Sequence, residues 1–297
     1  MSEQKNTSYR LNKKIKDDNF NVDLIGTYGL SLQINHSIFR FCVTDSEKNR
    51  CLLLEDYELL KINSTEELIS QLELIFDDNH ILKAGYWKEI KLAIKNPEFS
   101  LIPDSLFDKK YLKEYLSLNC QLTDKENEEI LYYRQNSTEA VNIFKADGKI
   151  IDWFLKSYPY HNITVIHHTS SLIEGLLQNY VNKDERSVFA YIENKLLTLV
   201  VVNNRKLEYC NSFQFISTED FVYYVMLVYD QLQLDPNAHG LTLWGDIAAD
   251  SPIHQKLYKY IRHLKFGNKP KSMYFGYHFD EIFDHSFFDL YNMHLCE

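Results

Sequence analysis

Apolar and polar positions alternate early in the chain in the two-residue rhythm of strands. Leu30, Leu32 and Ile34 alternate with Gly29, Ser31 and Gln33, which predicts a strand over 28–34. The turn Asn35-His36-Ser37 leads to a second strand over 38–43, and the polar stretch 45–49 to a third over 51–57. Ser64-Thr65-Glu66-Glu67 then precedes Leu68, Leu72, Ile75 and Phe76, an N-cap followed by a helix of 3.6-residue period.

The same order recurs about half a chain later. Strands are predicted over 187–192, 196–202 and 206–215, with Asn203-Asn204 turning between the last two. Ser217-Thr218-Glu219-Asp220 caps a helix running through Phe221, Val225, Val228, Tyr229 and Leu232. A repeat this long is domain-sized, too long for a solenoid. It predicts an α/β protein of two duplicated domains facing one another. Between the repeats, strands are expected over 89–94, 99–102, 129–134, 140–146 and 162–166, and helices over 104–118, 149–156 and 170–180. Beyond the second repeat come a strand over 240–245, a loop over 246–250, a helix over 253–264, a tail strand over 272–275 and a short aromatic element over 285–293. The resulting division is a polar arm over 1–22, mobile or loosely docked, a first domain over 23–180, and a second over 181–297 with an aromatic tail.

Composition narrows the field of functions. The chain has 297 residues, 45% hydrophobic, with a formal net charge of −10, a balance that suits a globular core and disfavours a general nucleic-acid surface. Lys13-Lys14-Ile15-Lys16 is too short a basic stretch to alter that. The strongest apolar run, 196–202, is strand-sized, well short of the roughly 20 residues that span a bilayer. The first residues lack an apolar core, so no signal peptide is expected. Five cysteines with no CxxC pair point to reduced thiols and a cytoplasmic location.

The duplicated pattern resembles the actin, hexokinase and heat-shock ATPase superfamily, two ribonuclease-H-like domains that each open with a three-stranded antiparallel meander. Phe99-Ser100-Leu101-Ile102-Pro103-Asp104-Ser105-Leu106-Phe107 and His285-Ser286-Phe287-Phe288-Asp289-Leu290-Tyr291 bring the chain closer to a bacterial domain-of-unknown-function family with an actin-like ATPase fold. The resemblance implies a nucleotide site between the first hairpins of the two domains. There an Asp acts through Mg²⁺ and water, and a Gly admits phosphate to backbone amides. In this sequence Gln33 stands in the Asp position and Asn35 in the Gly position of the first hairpin. Tyr191 and Glu193 stand in the corresponding places of the second, and neither hairpin tip contains glycine. The nucleoside-side element keeps its shape in Leu241-Thr242-Leu243-Trp244-Gly245-Asp246 followed by Ser251-Pro252, with Asp246 replacing the second glycine. No P-loop and no GxGxxG occurs.

The other candidates read as structural. His161, His167 and His168 cluster at the ends of one strand, but adjacent strand residues point to opposite faces, which disfavours a metal site. Ser170 is assigned to helix capping and the run Glu126, Glu128, Glu129 to solvent. The helix over 221–232 is apolar nearly all round and so belongs in an interior or a subunit interface. Together these features predict a protein-binding or scaffold module that has lost ATP hydrolysis, with no required cofactor or metal, a protein partner or a second copy, no nucleic acid and no membrane insertion. The alternative is a nucleotide-dependent switch or ATPase with altered cleft residues Gln33, Asn35, Tyr191, Glu193, Gly245 and Asp246, binding nucleotide with Mg²⁺.

Overall fold

Both meanders form where the alternation places them, and both continue in the same way. The computed structural model describes residues 9–121, 127–179 and 186–297. The first half runs β1 (Tyr9–Lys16), β2 (Gly29–Ile34), β3 (Ile38–Asp45), β4 (Arg50–Leu59), α1 (Thr65–Asp78), β5 (Glu89–Ile94), β6 (Phe99–Pro103), α2 (Leu112–Ser117), β7 (Glu128–Arg134), β8 (Ala140–Asp147), α3 (Gly148–Ser157), β9 (Ile163–His167) and α4 (His168–Asn179). The second half runs β10 (Ser187–Glu193), β11 (Leu196–Asn203), β12 (Lys206–Gln214), α5 (Thr218–Gln231), β13 (Leu241–Gly245), α6 (Pro252–Leu257), β14 (Leu264–Phe266), β15 (Tyr274–Phe275) and α7 (Phe288–Tyr291).

The first sheet has the order β1-β4-β3-β2-β5-β9 and the second β12-β11-β10-β13-β14. In each, the meander is antiparallel and two further strands add parallel to its first strand. The duplication read from the sequence is therefore a duplication of topology. A small antiparallel sheet, β6-β8-β7, is inserted between β5 and β9 of the first half.

Local chemistry explains the turns and starts. Asn194-Lys195 and Asn204-Arg205 join the second meander's strands with both central residues left-handed, the backbone that matches strand twist in two-residue hairpins. Ser64 Oγ accepts the Glu67 amide at 3.2 Å at the start of α1. At α5 the cap is reciprocal: Ser217 Oγ accepts the Asp220 amide at 3.1 Å, and Asp220 accepts the Ser217 amide at 3.0 Å. One core lies about the first sheet and another between the second sheet and α5–α6. A third joins the halves, with Leu172 and Leu176 of α4 and Phe288 of α7 packed on Phe189, Tyr191 and Trp244.

Several elements differ from expectation. The arm is not loose over its described part: β1 lies antiparallel along β4, with Ile15 buried, Arg10 paired to Glu58 and Lys14 to Glu55 at 2.8 Å. Its polarity is that of a basic edge strand on an acidic neighbour. The helix expected over 104–118 is two 3₁₀ turns, Asp104–Leu106 and Lys109–Tyr111, and only then α2. The helix expected over 253–264 stops at Leu257, because Leu264–Phe266 is drawn into parallel pairing with β13. The aromatic tail returns to the first half, where Phe279, Tyr291 and Met293 enter its core and β15 pairs with β4. Glu126 and Tyr180 lie outside the described residues. No described helix is long and apolar enough to cross a membrane.

Phe39 is fully buried among the rings of Phe41, Tyr57, Phe76 and Phe154. Phe39→Ala removes that packing and should lower unfolding free energy by about 3–5 kcal/mol, measured as a lower urea midpoint at unchanged slope.

Candidate functional site

The first hairpins of the two halves meet at a buried group of charges. Gln33 ends β2, Arg40 lies in β3 and Lys95 follows β5; Tyr191 and Glu193 end β10; Asp289 lies in α7. All six are almost completely removed from solvent. Lys95 Nζ is paired with Glu193 and lies 2.9 Å from Asp289 Oδ2. Arg40 is paired with Asp56 of β4 on one side and with Glu193 on the other. Asp289 accepts further hydrogen bonds from Gln33 Nε2 at 2.7 Å, Tyr191 OH at 2.6 Å and the Leu290 amide at 2.9 Å. Aromatic faces complete the enclosure: Lys95 Nζ sits 4.7 Å from the Tyr191 ring centre and the Arg40 guanidinium 4.8 Å from that of Phe287.

Electrostatics and burial oppose one another here, and pairing prevails. Burial works against the charge on Lys95, yet Asp289 and Glu193 hold its pKa above the ordinary value. Burial works equally against Arg40, and Glu193 and Asp56 keep it raised. Burial would raise the Asp289 carboxyl, but Lys95, then His168, hold it well below the carboxylate range. The Tyr191 phenol is pushed well up by burial and by Asp289, so it stays a neutral donor. A buried ion network of this kind adds little net stability over apolar packing, but removing one member leaves an uncompensated charge.

Of the six positions singled out in the sequence, Gln33, Tyr191 and Glu193 belong to this cluster. Asn35 does not: its Oδ1 accepts the amides of Ser37 at 2.7 Å and Ile38 at 2.9 Å, closing the hairpin turn on itself. Gly245 sits beside Ile192 in parallel register with φ of 90°, and a Cβ there would clash with the Ile192 carbonyl oxygen. Its glycine is thus required by strand packing. Asp246 reaches solvent; surrounding protein, then Glu193, push its carboxyl up to about 6. Beside the cluster an open groove of about 680 Å³ is lined by Asn35, Ser64, Thr65, Lys95, Asn96 and Asp147.

Arg40, Asp56, Lys95 and Asp289 were not read as site residues from the sequence, and His168 was weighed there only as a metal ligand. The available signal was charge inside apolar runs: Lys95 ends Leu92-Ala93-Ile94, and Asp289 interrupts Phe287-Phe288 and Leu290-Tyr291. Two other expectations change. His167 and His168 do not diverge, because strand becomes helix between them, and their ring centres lie 4.5 Å apart. Ser170 lies within α4, where its Oγ accepts from Asn142 at 3.0 Å and Gln135 at 3.0 Å. No group of three or more metal-ligating side chains occurs among the described residues.

Two predictions follow from the charges. Lys95→Met leaves Asp289 without its cation and Glu193 with Arg40 alone, and should cost about 3–5 kcal/mol in urea unfolding; adding Asp289→Asn should restore part of it. The second concerns acid. His168 is wholly buried, and burial, then Lys95, lower its pKa from 6.5 to about 3. A lowered folded pKa means that the stabilising contribution is complete above pH 6.5 and is lost as pH falls from 6.5 toward 3. His167 is lowered for the same first reason, burial. The melting temperature should therefore fall across that window. His168→Gln should flatten the fall, and His36→Gln, at an exposed turn, should leave it unchanged.

Comparison with known proteins gives the fold a setting. Residues 17–264 match a family described as protein of unknown function, DUF3822. No curated protein matches the chain. Among solved structures, a Bacteroides thetaiotaomicron VPI-5482 protein with actin-like ATPase fold and unknown function superposes with a TM-score of 0.78 at 19% identity, covering 94% of this chain and 99% of that one. The PilM–PilN type IV pilus biogenesis complex contains a chain that superposes with a TM-score of 0.57 at 12% identity, covering 90% and 97%. The paired meanders, their shared strand order and the match over residues 17–264 place this chain in the DUF3822 family, with the fold of the actin-like ATPases.

Proposed function

We propose that the chain is a cytoplasmic, non-hydrolysing scaffold that acts by binding protein. The observation that carries this reading is the Lys95 cluster. In the actin-like resemblance, phosphates occupy the space between the two first hairpins. Here that space holds Lys95, Glu193, Tyr191 and Asp289, already joined to one another. Arg40 and Lys95 face Asp56, Glu193 and Asp289, so carboxylates outnumber cations before any ligand enters. A nucleotide's phosphates would add negative charge to that excess and would compete with Asp289 for Lys95. The residue types absent from the phosphate-side positions of the hairpins, Asp and Gly, are those that metal and phosphate would need. PilM, a chain of similar fold, is seen in complex with PilN, which fits a protein partner here.

The groove beside the cluster favours a second reading, a switch that takes nucleotide outside the filled cleft. Thermal-shift titration with ATP, ADP and GTP, each with and without Mg²⁺, separates the two. A ligand present at 100 times its dissociation constant stabilises the native state by about 2.7 kcal/mol. The scaffold reading expects no shift at millimolar nucleotide and no hydrolysis above a heat-killed control. A saturable, Mg²⁺-dependent rise in melting temperature would overturn it and establish the switch.

A further inference from the structure

The two meander edges are equivalent positions in the duplicated fold, yet they are finished differently. In the first sheet, β4 is covered by β1 along most of its length and by β15 at Arg50 and Cys51. In the second sheet, β12 pairs with β11 and with no other described strand. The open side of β12 can be assigned from its amides. The Ser212 amide stays out of the ladder and is met by Asn211 Oδ1 at 2.9 Å, whereas the Phe215 amide returns to Lys195 O at 3.0 Å. Alternation then turns the backbones of Cys210, Ser212 and Gln214 outward.

Exposed edges are ordinarily guarded by charge, proline or a covering segment. The run Tyr209-Cys210-Asn211-Ser212-Phe213-Gln214-Phe215 has neither charge nor proline. Apolar surface continues beyond it: Ile216 is 86% exposed, Tyr223 is 61% exposed, and Phe213 stacks on Tyr224 with ring centres 4.7 Å apart.

We propose that β12 is a self-association edge, and that two copies of this chain pair their β12 strands antiparallel about a two-fold axis at Asn211. That register sets Tyr209 opposite the partner's Phe213, twice by symmetry, an aromatic cross-strand pair of the stabilising kind. The regular pairing ends at Tyr209, because Glu208 is the extra residue of a bulge between Tyr209 and Leu207 and is held by Arg186, so the paired segment 209–213 carries no charge. The contrast with β4 supports a second copy as the occupant. Glu55, Asp56 and Glu58 of β4 would oppose one another in a self-pair, and that edge is covered by the basic β1. The paired segment of β12, residues 209–213, carries no charge and has no such conflict with itself. The inference is independent of whether the cleft binds nucleotide.

The test is sedimentation equilibrium of the full chain across the micromolar range, without nucleotide. The wild type should show a monomer–dimer equilibrium. Asn211→Lys sets two ammonium groups opposite one another at the axis and should weaken the dimer about fivefold, whereas uncharged Asn211→Thr should not weaken it. Ser212→Pro deletes an outward amide without breaking the β11 ladder and should give monomer. Because Ser212 Oγ also meets Thr198 Oγ1 at 2.7 Å, its fold is checked by circular dichroism, and the two Asn211 variants decide the matter if it unfolds. A chain monomeric throughout that range overturns the proposal. So does a dimer that responds alike to Asn211→Lys and Asn211→Thr, since its interface would lie elsewhere.

Discussion

A single ammonium group, that of Lys95, holds together three parts of the chain that are far apart in sequence. It rises from the end of a first-half strand, meets Glu193 at the end of a second-half strand, and meets Asp289 in the returning tail. A lysine this deeply buried keeps its charge only if carboxylates surround it. Those carboxylates are held where they are by the parallel strands and by α7. The position of the halves, the path of the tail and the closure of the cleft are thus one electrostatic problem with one solution. Arg40 repeats the arrangement one strand away, tying Asp56 in its own half to Glu193 in the other.

The fold was legible because its determinants are local. Alternation gave the meanders, Ser64 and Ser217 gave the helix starts, and the recurrence of both gave the duplication. Local signals failed where a distant partner decided the outcome. The polar arm reads as solvated until the acidic residues of β4 are seen beside it, and residues 258–264 read as helix until β13 offers Leu264–Phe266 an edge. The cluster itself was half legible. Gln33, Tyr191 and Glu193 were found through equivalence of the two hairpins, which is a property of the repeat. Lys95 and Asp289 were not, because 194 residues separate them. A charge embedded in an apolar run signals that a partner exists without saying where.

The duplication also shows where the halves have diverged under different constraints. Each sheet keeps the same strand order, so the backbone topology tolerated large sequence change. What changed is the periphery. The first half gained β1, the inserted β6-β8-β7 sheet and the tail; the second kept a bare meander with α5 and α6 on one face. The additions cover the first sheet's edge and fill its side of the cleft. The second half supplies Tyr191 and Glu193 to that cleft and leaves its own edge strand open.

The chemistry of the cleft also limits how the halves could move. Opening it would part Lys95 and Arg40 from Glu193 and expose all three to water together with Asp289. Water would recover part of the cost, since hydrating a charge offsets much of what its partner supplied. The apolar contacts of Leu172, Leu176 and Phe288 with Phe189 and Trp244 have no such compensation, because exposing them to water only loses burial. The ion cluster therefore selects one arrangement of the halves, by penalising any in which a charge is left unpaired in a dry site, while the aromatic layer beneath supplies most of the adhesion. A ligand able to drive the halves apart would have to replace both. A phosphate group can take over an ammonium's pairing, but it offers nothing to Trp244 or Phe288. A protein surface carrying an acidic side chain beside apolar ones could offer both.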